Sequence, residues 1–379
     1  MTVPDVDSGV LETVLPCDDL DAMTEFVRLE LDGRVLSISP ADDPREVLVD
    51  VAGGRLRLRR DDRPDHGTRL VVRTATDRPA VTAPNGTVVE FRSSSSEPLL
   101  PESQPSLSIV RAGESFGVGR AGMGYRDLLP DRWGGRFIAS HIRISDGGDV
   151  PDYVHFHRIR FQMIFCARGW VDLVYEDQGE PFRLEAGDCV LQPPGIRHRV
   201  LRSSPGLEVI EVGCPAVHDT LVDHEIELPT SVVDPARDFG GQRFVRHVAS
   251  EATRTPWLVD GLFVRDTGIG HATGGLAGAV VVEAVAASTV AASTVAESTA
   301  AESTADAAEL LTHGGEFCMY VVLHGEADLG VDGGRPHRVG ARDAVALPAG
   351  THWTWASWSA DFAVLQVTLP GAAVRTAIR

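Results

Sequence analysis

The chain has 379 residues, of which 43% are hydrophobic, and it carries a formal net charge of −19. This length allows two or three domains, while the negative charge argues against a nucleic-acid partner, since phosphate binding requires a basic face. We find no signal peptide, no apolar run as long as a membrane span and no CxxC pair among the five cysteines. We therefore expect a cytoplasmic protein with reduced thiols and no membrane partner.

Residues 1–93 predict a small α+β module. An Asp-Asp pair before DAMTEFV is typical of a helix N-terminus, and an Asn-Gly turn leads into a strand near its end. The βαβββ order resembles one module of the vicinal oxygen chelate (glyoxalase/bleomycin-resistance) fold. That resemblance implies ligands on the first and last strands, at Glu12 and Glu90. A full domain of that family needs two modules, so a homodimer could complete a second site. We favour a structural or dimerising module instead.

The residues that follow this module change in character. Residues 94–105 are rich in Ser, Pro and Glu and lack hydrophobic periodicity, which predicts a linker. From residue 106 onward, short extended segments alternate with Gly- and Pro-rich turns. Such a pattern is typical of all-β domains.

The segment from His155 to His198 carries the clearest chemical signal. It opens with HFH, so the imidazoles of His155 and His157 face the same side of an extended strand. Gln162 is a polar residue inside the apolar strand that follows. The segment closes with GDCVLQPPGIRH, which predicts a turn, a strand and a second turn before His198. Three such histidines can converge on one metal ion if the two strands lie side by side.

These two segments resemble the two signature motifs of the cupin superfamily. The resemblance implies a jelly-roll barrel with metal ligands at His155, His157, Gln162 and His198. The chain departs from the family pattern at Gln162, where glutamate is usual. An amide oxygen can coordinate a metal but brings no negative charge, so we expect a more electropositive centre that binds its metal less tightly.

A degenerate copy of both motifs lies nearer the C-terminus, where GARDAVALPAGTH aligns with GDCVLQPPGIRH. The four ligand positions there fall on Leu311, His313, Cys318 and His352. This internal repeat predicts a second barrel of the same fold. Its site is the weaker one, since one position is apolar and another is a thiol. A weak metal site at His313, Cys318 and His352 remains one interpretation, and a ligand pocket or plain core is the other.

The predicted fold is therefore mostly β, with two cupin (double-stranded β-helix) barrels after the α+β βαβββ module. We place the metal-binding barrel at 106–225 and the degenerate barrel at 226–379. A repeat of small and polar residues within 285–308 cannot bury a core, so we interpret it as a loop insertion without a functional role.

The predicted site chemistry is that of an open divalent metal centre. Neutral imidazoles and an amide leave the charge of the ion uncompensated and some coordination positions open, which suits an anionic chelating small molecule and O2. The absence of thiolate ligands argues against a closed structural zinc site. The family favours Fe(II), while Mn, Ni, Cu and Zn remain open because affinity order does not select the metal.

Two further residues are candidates for substrate binding or acid/base chemistry. Arg160 could point inward and bind a carboxylate if its strand stays regular, and Glu211 lies on the strand after His198, near the barrel mouth. Both are more typical of surface or inter-barrel charges. His218 and His224 show no ligand spacing.

We predict a bicupin metalloprotein, an Fe(II)-type dioxygenase acting on a small diketone, phenolic or enolic substrate in the first barrel. A metal-dependent isomerase or lyase that uses no O2 is one alternative. A non-catalytic protein that binds a small metabolite is another, because cupin barrels host all three.

Overall fold

The computed structural model describes residues 10–61, 67–76, 78–93, 98–113, 115–119, 122–284 and 309–377. The chain divides into two units, Met1–Ser96 and Glu97–Arg379. The predicted insertion at 285–308 lies outside the described residues. Within the described ranges, no helix is both long enough and apolar enough to cross a bilayer.

The first unit is built on a four-stranded sheet with one helix. Its elements are β1 (Glu12–Cys17), α1 (Leu20–Glu30), β2 (Arg34–Ser39), β3 (Glu46–Val51) and β4 (Gly54–Arg60). The strands lie in the order β1-β4-β3-β2, and β1 runs parallel to β4. Asp19 caps the helix, because its side chain accepts a hydrogen bond from the backbone N–H of Ala22. The order βαβββ is thus present, over Glu12–Arg60.

Three more strands of this unit form a separate sheet: β5 (Arg69–Thr74), β6 (Val81–Thr82) and β7 (Val88–Ser93). Their order is β5-β7-β6, with β5 parallel to β7. Glu90 therefore lies in a different sheet from Glu12. The expectation that the two glutamates occupy the first and last strands of one βαβββ module is wrong, because that module already closes with β4.

The second unit contains two jelly-roll barrels, as predicted. The strands up to the end of the first barrel are β8 (Ser108–Val110), β9 (Gly117–Val118), β10 (Gly124–Asp127), β11 (Ile138–Ile144), β12 (Gly148–Asp149), β13 (His155–His157), β14 (Phe161–Arg168), β15 (Trp170–Tyr175), β16 (Phe182–Glu185), β17 (Cys189–Leu191), β18 (His198–Ser203), β19 (Leu207–Cys214), β20 (Thr220–Val222) and β21 (Val245–His247). A short left-handed turn, α2 (Arg132–Gly135), follows β10. One sheet of the first barrel has the order β21-β17-β14-β19-β11-β10-β9, and the other has the order β16-β15-β18-β13-β20, with β12 beside β18.

The second barrel repeats this plan. After a 3-10 turn (Ala249–Glu251), its elements are β22 (Thr255–Pro256), β23 (Leu262–Asp266), α3 (Ile269–Ala272), β24 (Gly278–Ala284), β25 (Leu311–His313), β26 (Phe317–His324), β27 (Glu326–Val331), β28 (His337–Gly340), β29 (Ala344–Ala346), β30 (His352–Ala356), β31 (Ala363–Leu369) and β32 (Val374–Thr376). Its sheets have the orders β22-β23-β24-β31-β26-β29-β8 and β28-β27-β30-β25-β32.

The barrels exchange edge strands. β8 precedes the first barrel but pairs with β29 of the second, while β21 pairs with β17 of the first. Val245–His247 thus belongs to a sheet of the first barrel and Ser108–Val110 to a sheet of the second. The predicted boundary at residue 225 would have placed each of these strands in the other barrel. Each added strand covers an otherwise open sheet edge. Hydrophobic alternation shows that such a segment is a strand, but it does not reveal which sheet it joins.

Aromatic packing connects the barrels. Phe137 of the first barrel stacks on Phe317 of the second, with ring centroids 4.2 Å apart, and Trp133 meets the same ring edge-on at 5.2 Å. All three side chains are fully buried. Burial of rings of this size dominates the energy of an interface, so the two barrels share one core.

A buried polar cluster lies beside this core. Nδ1 of His141 is 3.2 Å from the Arg126 guanidinium, and its Nε2 is 3.2 Å from the carboxylate of Glu208. Arg342 of the second barrel donates to the same carboxylate at 2.7 Å. Burial lowers the pKa of His141 to about 4, so the imidazole is neutral in the folded protein at neutral pH.

We expect this histidine to make the fold sensitive to acid. The unfolded chain binds a proton at His141 below about pH 6.5 and the folded chain does not until about pH 4, so stability is lost as the pH falls between those values. The expected loss in the free energy of unfolding is about 2 kcal/mol between pH 7 and pH 5. Denaturant titrations in the presence of chelator measure it, and His141→Gln should lose correspondingly less. An equal loss in both proteins would contradict the assignment.

Candidate metal centre

The structure brings three histidines of the first barrel together. His155 and His198 are direct partners across the antiparallel pair β13–β18, with ring centroids 4.3 Å apart. His157, two residues along β13, faces the same side, and its centroid lies 5.2 Å from that of His155 and 5.3 Å from that of His198. One nitrogen from each ring lies within 4.8 Å of the others. Among the described residues, no other group of three His, Cys, Asp or Glu side chains meets this distance.

Hydrogen bonds at Nδ1 orient the three rings. Nδ1 of His155 and Nδ1 of His198 lie 2.8 and 3.0 Å from the backbone carbonyl oxygen two residues earlier in the chain. A carbonyl only accepts, so each Nδ1 donates its proton and Nε2 carries the lone pair. Nδ1 of His157 lies 3.0 Å from the hydroxyl of Thr220. Contacts of this kind fix the tautomer and orientation of metal-binding imidazoles.

Gln162 faces the same cavity from the opposite sheet, on β14. Its Nε2 donates a 2.6 Å hydrogen bond to Oε1 of Glu211 on β19. A carboxylate accepts, so the NH2 group is held at Glu211 and the amide oxygen points away from it. This oxygen is buried and has no hydrogen-bond partner among the described residues. Such an oxygen is costly unless something binds it. The donor set of three imidazole nitrogens and one amide oxygen therefore fits a divalent metal ion.

The triad opens onto a cavity of about 550 Å³ inside the first barrel. Most of its wall is apolar: Met123, Tyr125, Ile138, Ile142, Ile144, Ile164, Val171, Leu173, Val200, Leu207 and Val209. Tyr175 is fully buried at the triad, where its ring stacks on His198 at 5.4 Å and its hydroxyl accepts a bond from Gln192. Burial raises the pKa of Tyr175, so the phenol stays neutral. A largely apolar cavity with a few polar groups is typical of small-molecule sites.

Other polar residues of the cavity carry no motif in the sequence. His218 lies between β19 and β20; its ring is 5.3 Å from that of His157, and its Nδ1 is 3.0 Å from the carbonyl oxygen of Pro215. Asp127, Arg132 and Ser140 also line the cavity. Asp127, Arg132 and Ser140 precede the metal motif in the chain, and His218 lies in a loop after it. No residue spacing connects these four positions to the motif. The polar character of Asp127 and Ser140 at inward strand positions is the one local signal.

Arg160 does not line this cavity. Its guanidinium binds Glu316 of the second barrel, with nitrogen–oxygen distances of 2.9 and 3.2 Å, and Arg136 donates to the same carboxylate at 2.6 Å. Burial raises the pKa of Glu316, but hydrogen bonds from the two arginines lower it below its usual value. The favoured interpretation of Arg160 as an inter-barrel charge is therefore confirmed. The inward alternative required a regular strand, but β13 ends at His157 and β14 begins at Phe161. Glu211, the other candidate, does lie in the cavity.

The second barrel does not bring its three candidate ligands together. Nε2 of His313 binds the carbonyl oxygen of Leu347 at 2.8 Å. Cys318 is fully buried in the apolar core, and burial raises the pKa of its thiol. His352 is 47% exposed and lies beside Asp332. Trp353, Trp355 and Tyr320 are buried in this core, so the barrel interior is filled by aromatic rings.

The two glutamates of the first unit are held in ion pairs. Arg57 binds Glu12 at 2.6 Å, and Arg69 binds Glu90 at 2.7 Å. Arg92 also binds Glu90, at 3.1 Å. Neither carboxylate belongs to a group of potential metal ligands among the described residues. They serve as surface or half-buried ion-pair partners.

Comparisons with known proteins show the fold. No protein-family model and no curated protein match the sequence. A variant of salicylate 1,2-dioxygenase from Pseudoaminobacter salicylatoxidans, bound to gentisate, matches with a TM-score of 0.50 at 14% identity over 74% of this chain and 88% of that chain. Ylba from E. coli matches with a TM-score of 0.48 at 12% identity, over 70% of this chain and 91% of that chain. Bacillus subtilis oxalate decarboxylase, with its Mn(II) centres, matches with a TM-score of 0.46 at 13% identity, over 73% of this chain and 79% of that chain. At 14% identity, the match with a TM-score of 0.50 shows a likeness of fold alone, consistent with the two jelly-roll barrels of this chain.

Proposed function

We propose that the chain is a metal-dependent enzyme whose first barrel binds one divalent ion through His155, His157, His198 and the amide oxygen of Gln162. The observation that carries this proposal is the buried amide oxygen of Gln162, which has no hydrogen-bond partner among the described residues while its NH2 group is fixed at Glu211. The three imidazoles lie in the same cavity with their ligand nitrogens within 4.8 Å of one another. Three neutral imidazoles and an amide suit Fe(II) or a similar divalent ion.

The reaction that we favour is oxidation by O2 of a small chelating substrate of the diketone, phenolic or enolic type. When bound, the ion would supply a Lewis-acid centre with positions open to two substrate oxygens. The apolar walls hold the body of such a substrate and exclude water from it. The carboxylate of Glu211, fixed by Gln162, is a group of this chain that can accept a proton from an enol or phenol.

A second candidate, an isomerase or lyase that uses no O2, is favoured by the same position of Glu211. A carboxylate in the cavity, next to a metal ligand, can move a proton within a substrate without any oxidant. The two reactions share the metal centre and differ only in the requirement for O2.

Metal analysis and oxygen uptake test these proposals. The purified protein, reloaded anaerobically with Fe(II) and desalted, is expected to hold about one ion per chain, and less than about 0.2 would contradict a metal enzyme. Oxygen consumption with catechols, β-diketones and enols then supports the dioxygenase. Conversion of a substrate in the absence of O2 supports the isomerase or lyase. Tight binding of these compounds with no turnover would contradict both and leave a metabolite-binding protein.

A further inference from the structure

A row of residues crosses the inner face of the large sheet of the first barrel. Ile164 on β14 pairs with Glu211 on β19, Glu211 with Ser140 on β11, and Ser140 with Asp127 on β10. All four line the cavity. Neighbouring strands lie about 4.8 Å apart, so Asp127 lies on the order of 10 Å from Glu211 across the sheet. Because Glu211 binds Gln162, the row leads away from the proposed metal centre.

Arg132 lies at the far end of this row and also lines the cavity. Its Nε donates to Oδ2 of Asp127 at 3.1 Å, while Oδ1 of the same carboxylate accepts the backbone N–H of Leu129 at 3.0 Å. Among the described residues, this is the one hydrogen bond of the Arg132 side chain, which is 42% exposed. The two terminal nitrogens are therefore available as a pair of parallel donors. That pair matches the two oxygens of a carboxylate.

The backbone at Arg132 is strained. Four consecutive residues, Arg132 to Gly135, have φ values of 49°, 45°, 72° and 91°, in the left-handed region. Glycine adopts such values without penalty, whereas arginine and tryptophan do not. Trp133 is held there by full burial and by a hydrogen bond from its indole N–H to the carbonyl oxygen of Ser106. Burial does not explain an arginine at 132, where glycine or asparagine would adopt this φ more readily. Backbone strain of this kind clusters at ligand sites.

We propose that Arg132 binds a carboxylate of the substrate at the end of the cavity away from the three histidines. The substrate class is then an acid with an apolar or aromatic body, with its chelating oxygens at the opposite end from the carboxylate. The position of the chelating oxygens rests on the proposed metal function, whereas the carboxylate site at Arg132 does not. The apolar residues between the two ends, such as Ile138, Ile142 and Val209, suit a ring or a short hydrocarbon chain.

Two matched pairs of probes test the inference by isothermal titration calorimetry. The first pair is 3-(3,4-dihydroxyphenyl)propanoate and its methyl ester, titrated into metal-loaded protein. The second pair is 3-phenylpropanoate and its methyl ester, titrated into chelator-treated protein, where no metal contributes. In both pairs we expect the acid to bind about tenfold to hundredfold more tightly than the ester, as hydrogen bonds to charged groups typically contribute.

Variants at Arg132 assign this preference to its side chain. Arg132→Gln is expected to bind the acid and the ester alike, with the affinity for the ester unchanged. Arg132→Gly removes the side chain and relieves the backbone at the same time, so it should lose the preference while remaining folded. Arg132→Lys keeps the positive charge but lacks the paired donors of the guanidinium, so it should retain a part of the preference for the acid. Arg202→Gln, at an exposed arginine of β18, is the matched control and should behave as wild type.

The outcomes separate this inference from the proposed function. Metal that fails to load, with the preference for 3-phenylpropanoate intact, contradicts the metal enzyme and leaves the carboxylate site standing. Loaded metal with equal affinities for acid and ester overturns the inference. So does a preference that survives in Arg132→Gln and Arg132→Gly, or the failure of all four probes to bind.

Discussion

Replacing His198 with alanine is expected to reduce the metal content from about one ion per chain to less than about 0.2 after loading and desalting. His198 faces His155 directly across β13–β18, and its loss leaves two imidazoles and a neutral amide. Two described carboxylates lie near the triad, and both are engaged elsewhere: Glu211 holds the NH2 group of Gln162, and Asp152 lies 3.6 Å from Nδ1 of His155, the nitrogen that does not carry the lone pair. His157→Ala should have the same effect. Elemental analysis by mass spectrometry measures both.

The internal repeat supplies the control for this experiment. His352 is the counterpart of His198 in the second barrel, but it is 47% exposed and lies beside Asp332. His352→Ala is therefore expected to retain about one ion per chain. If this variant lost the metal and His198→Ala kept it, the first barrel would not be the working barrel.

A stability measurement separates lost ligation from misfolding. A ligand that binds only the folded state stabilises it by about 2.7 kcal/mol at a free concentration one hundred times the Kd. Wild-type protein should show this gain on addition of metal, and His198→Ala should not. In chelator, both proteins should unfold at similar temperatures. A large difference in chelator would mean that the imidazole holds the fold rather than the ion.

The sequence predicts the histidine triad well because the relevant geometry is local. Alternation along an extended strand places His155 and His157 on one face, and the two turns before His198 return its strand beside them. The structure has this register, with His155 opposite His198. The same local reasoning finds the second barrel from its repeat. Local reasoning does not predict which side chains fill the interior of the second barrel, because the burial of Trp353 and Trp355 depends on packing against distant strands.

Failures of sequence reasoning occur where the chain leaves regular structure. Arg160 follows a break between two strands, so counting along a strand does not give the direction of its side chain, although its type and position favoured the inter-barrel charge that is found. Arg132 lies in a left-handed turn that few sequences signal, since only glycine favours it, and here the two glycines come after the residue concerned. His218 reaches the triad through a loop. These positions are determined by tertiary packing, which residue spacing does not encode.

Gln162 is the position at which the chain departs from the cupin pattern, and the structure connects that departure to Glu211. The two residues are 49 positions apart and meet through the pairing of β14 with β19. A neutral ligand with a carboxylate behind it carries the same total charge as a glutamate ligand with an amide behind it. In the proposed centre the negative charge therefore lies behind the ligand rather than on it, where it would attract the ion less strongly because the distance is greater.

Replacing Glu211 with leucine is expected to weaken metal binding about tenfold to hundredfold, the usual effect of removing a partner that orients a ligand. Without the carboxylate, the amide of Gln162 can turn its NH2 group toward the ion, and that group cannot coordinate. The exchanged pair Gln162→Glu with Glu211→Gln should bind the metal more tightly than wild type, since the charge then lies on the ligand itself. Gln162→Glu alone places two carboxylates at a contact that is now 2.6 Å. We expect that variant to be destabilised in chelator and rescued by metal.

Competition with a chromophoric chelator measures the Kd for each variant, independently of any activity. Glu208→Gln is the matched control, because Glu208 lies on the same strand but faces Arg342 and His141 in the inter-barrel cluster. It should alter stability and leave the metal Kd unchanged. If Glu211→Leu binds metal as wild type does, and the exchanged pair gains nothing, Gln162 is not a ligand. The ion would then be held by the three histidines alone, and the buried amide oxygen would need another partner, such as the substrate.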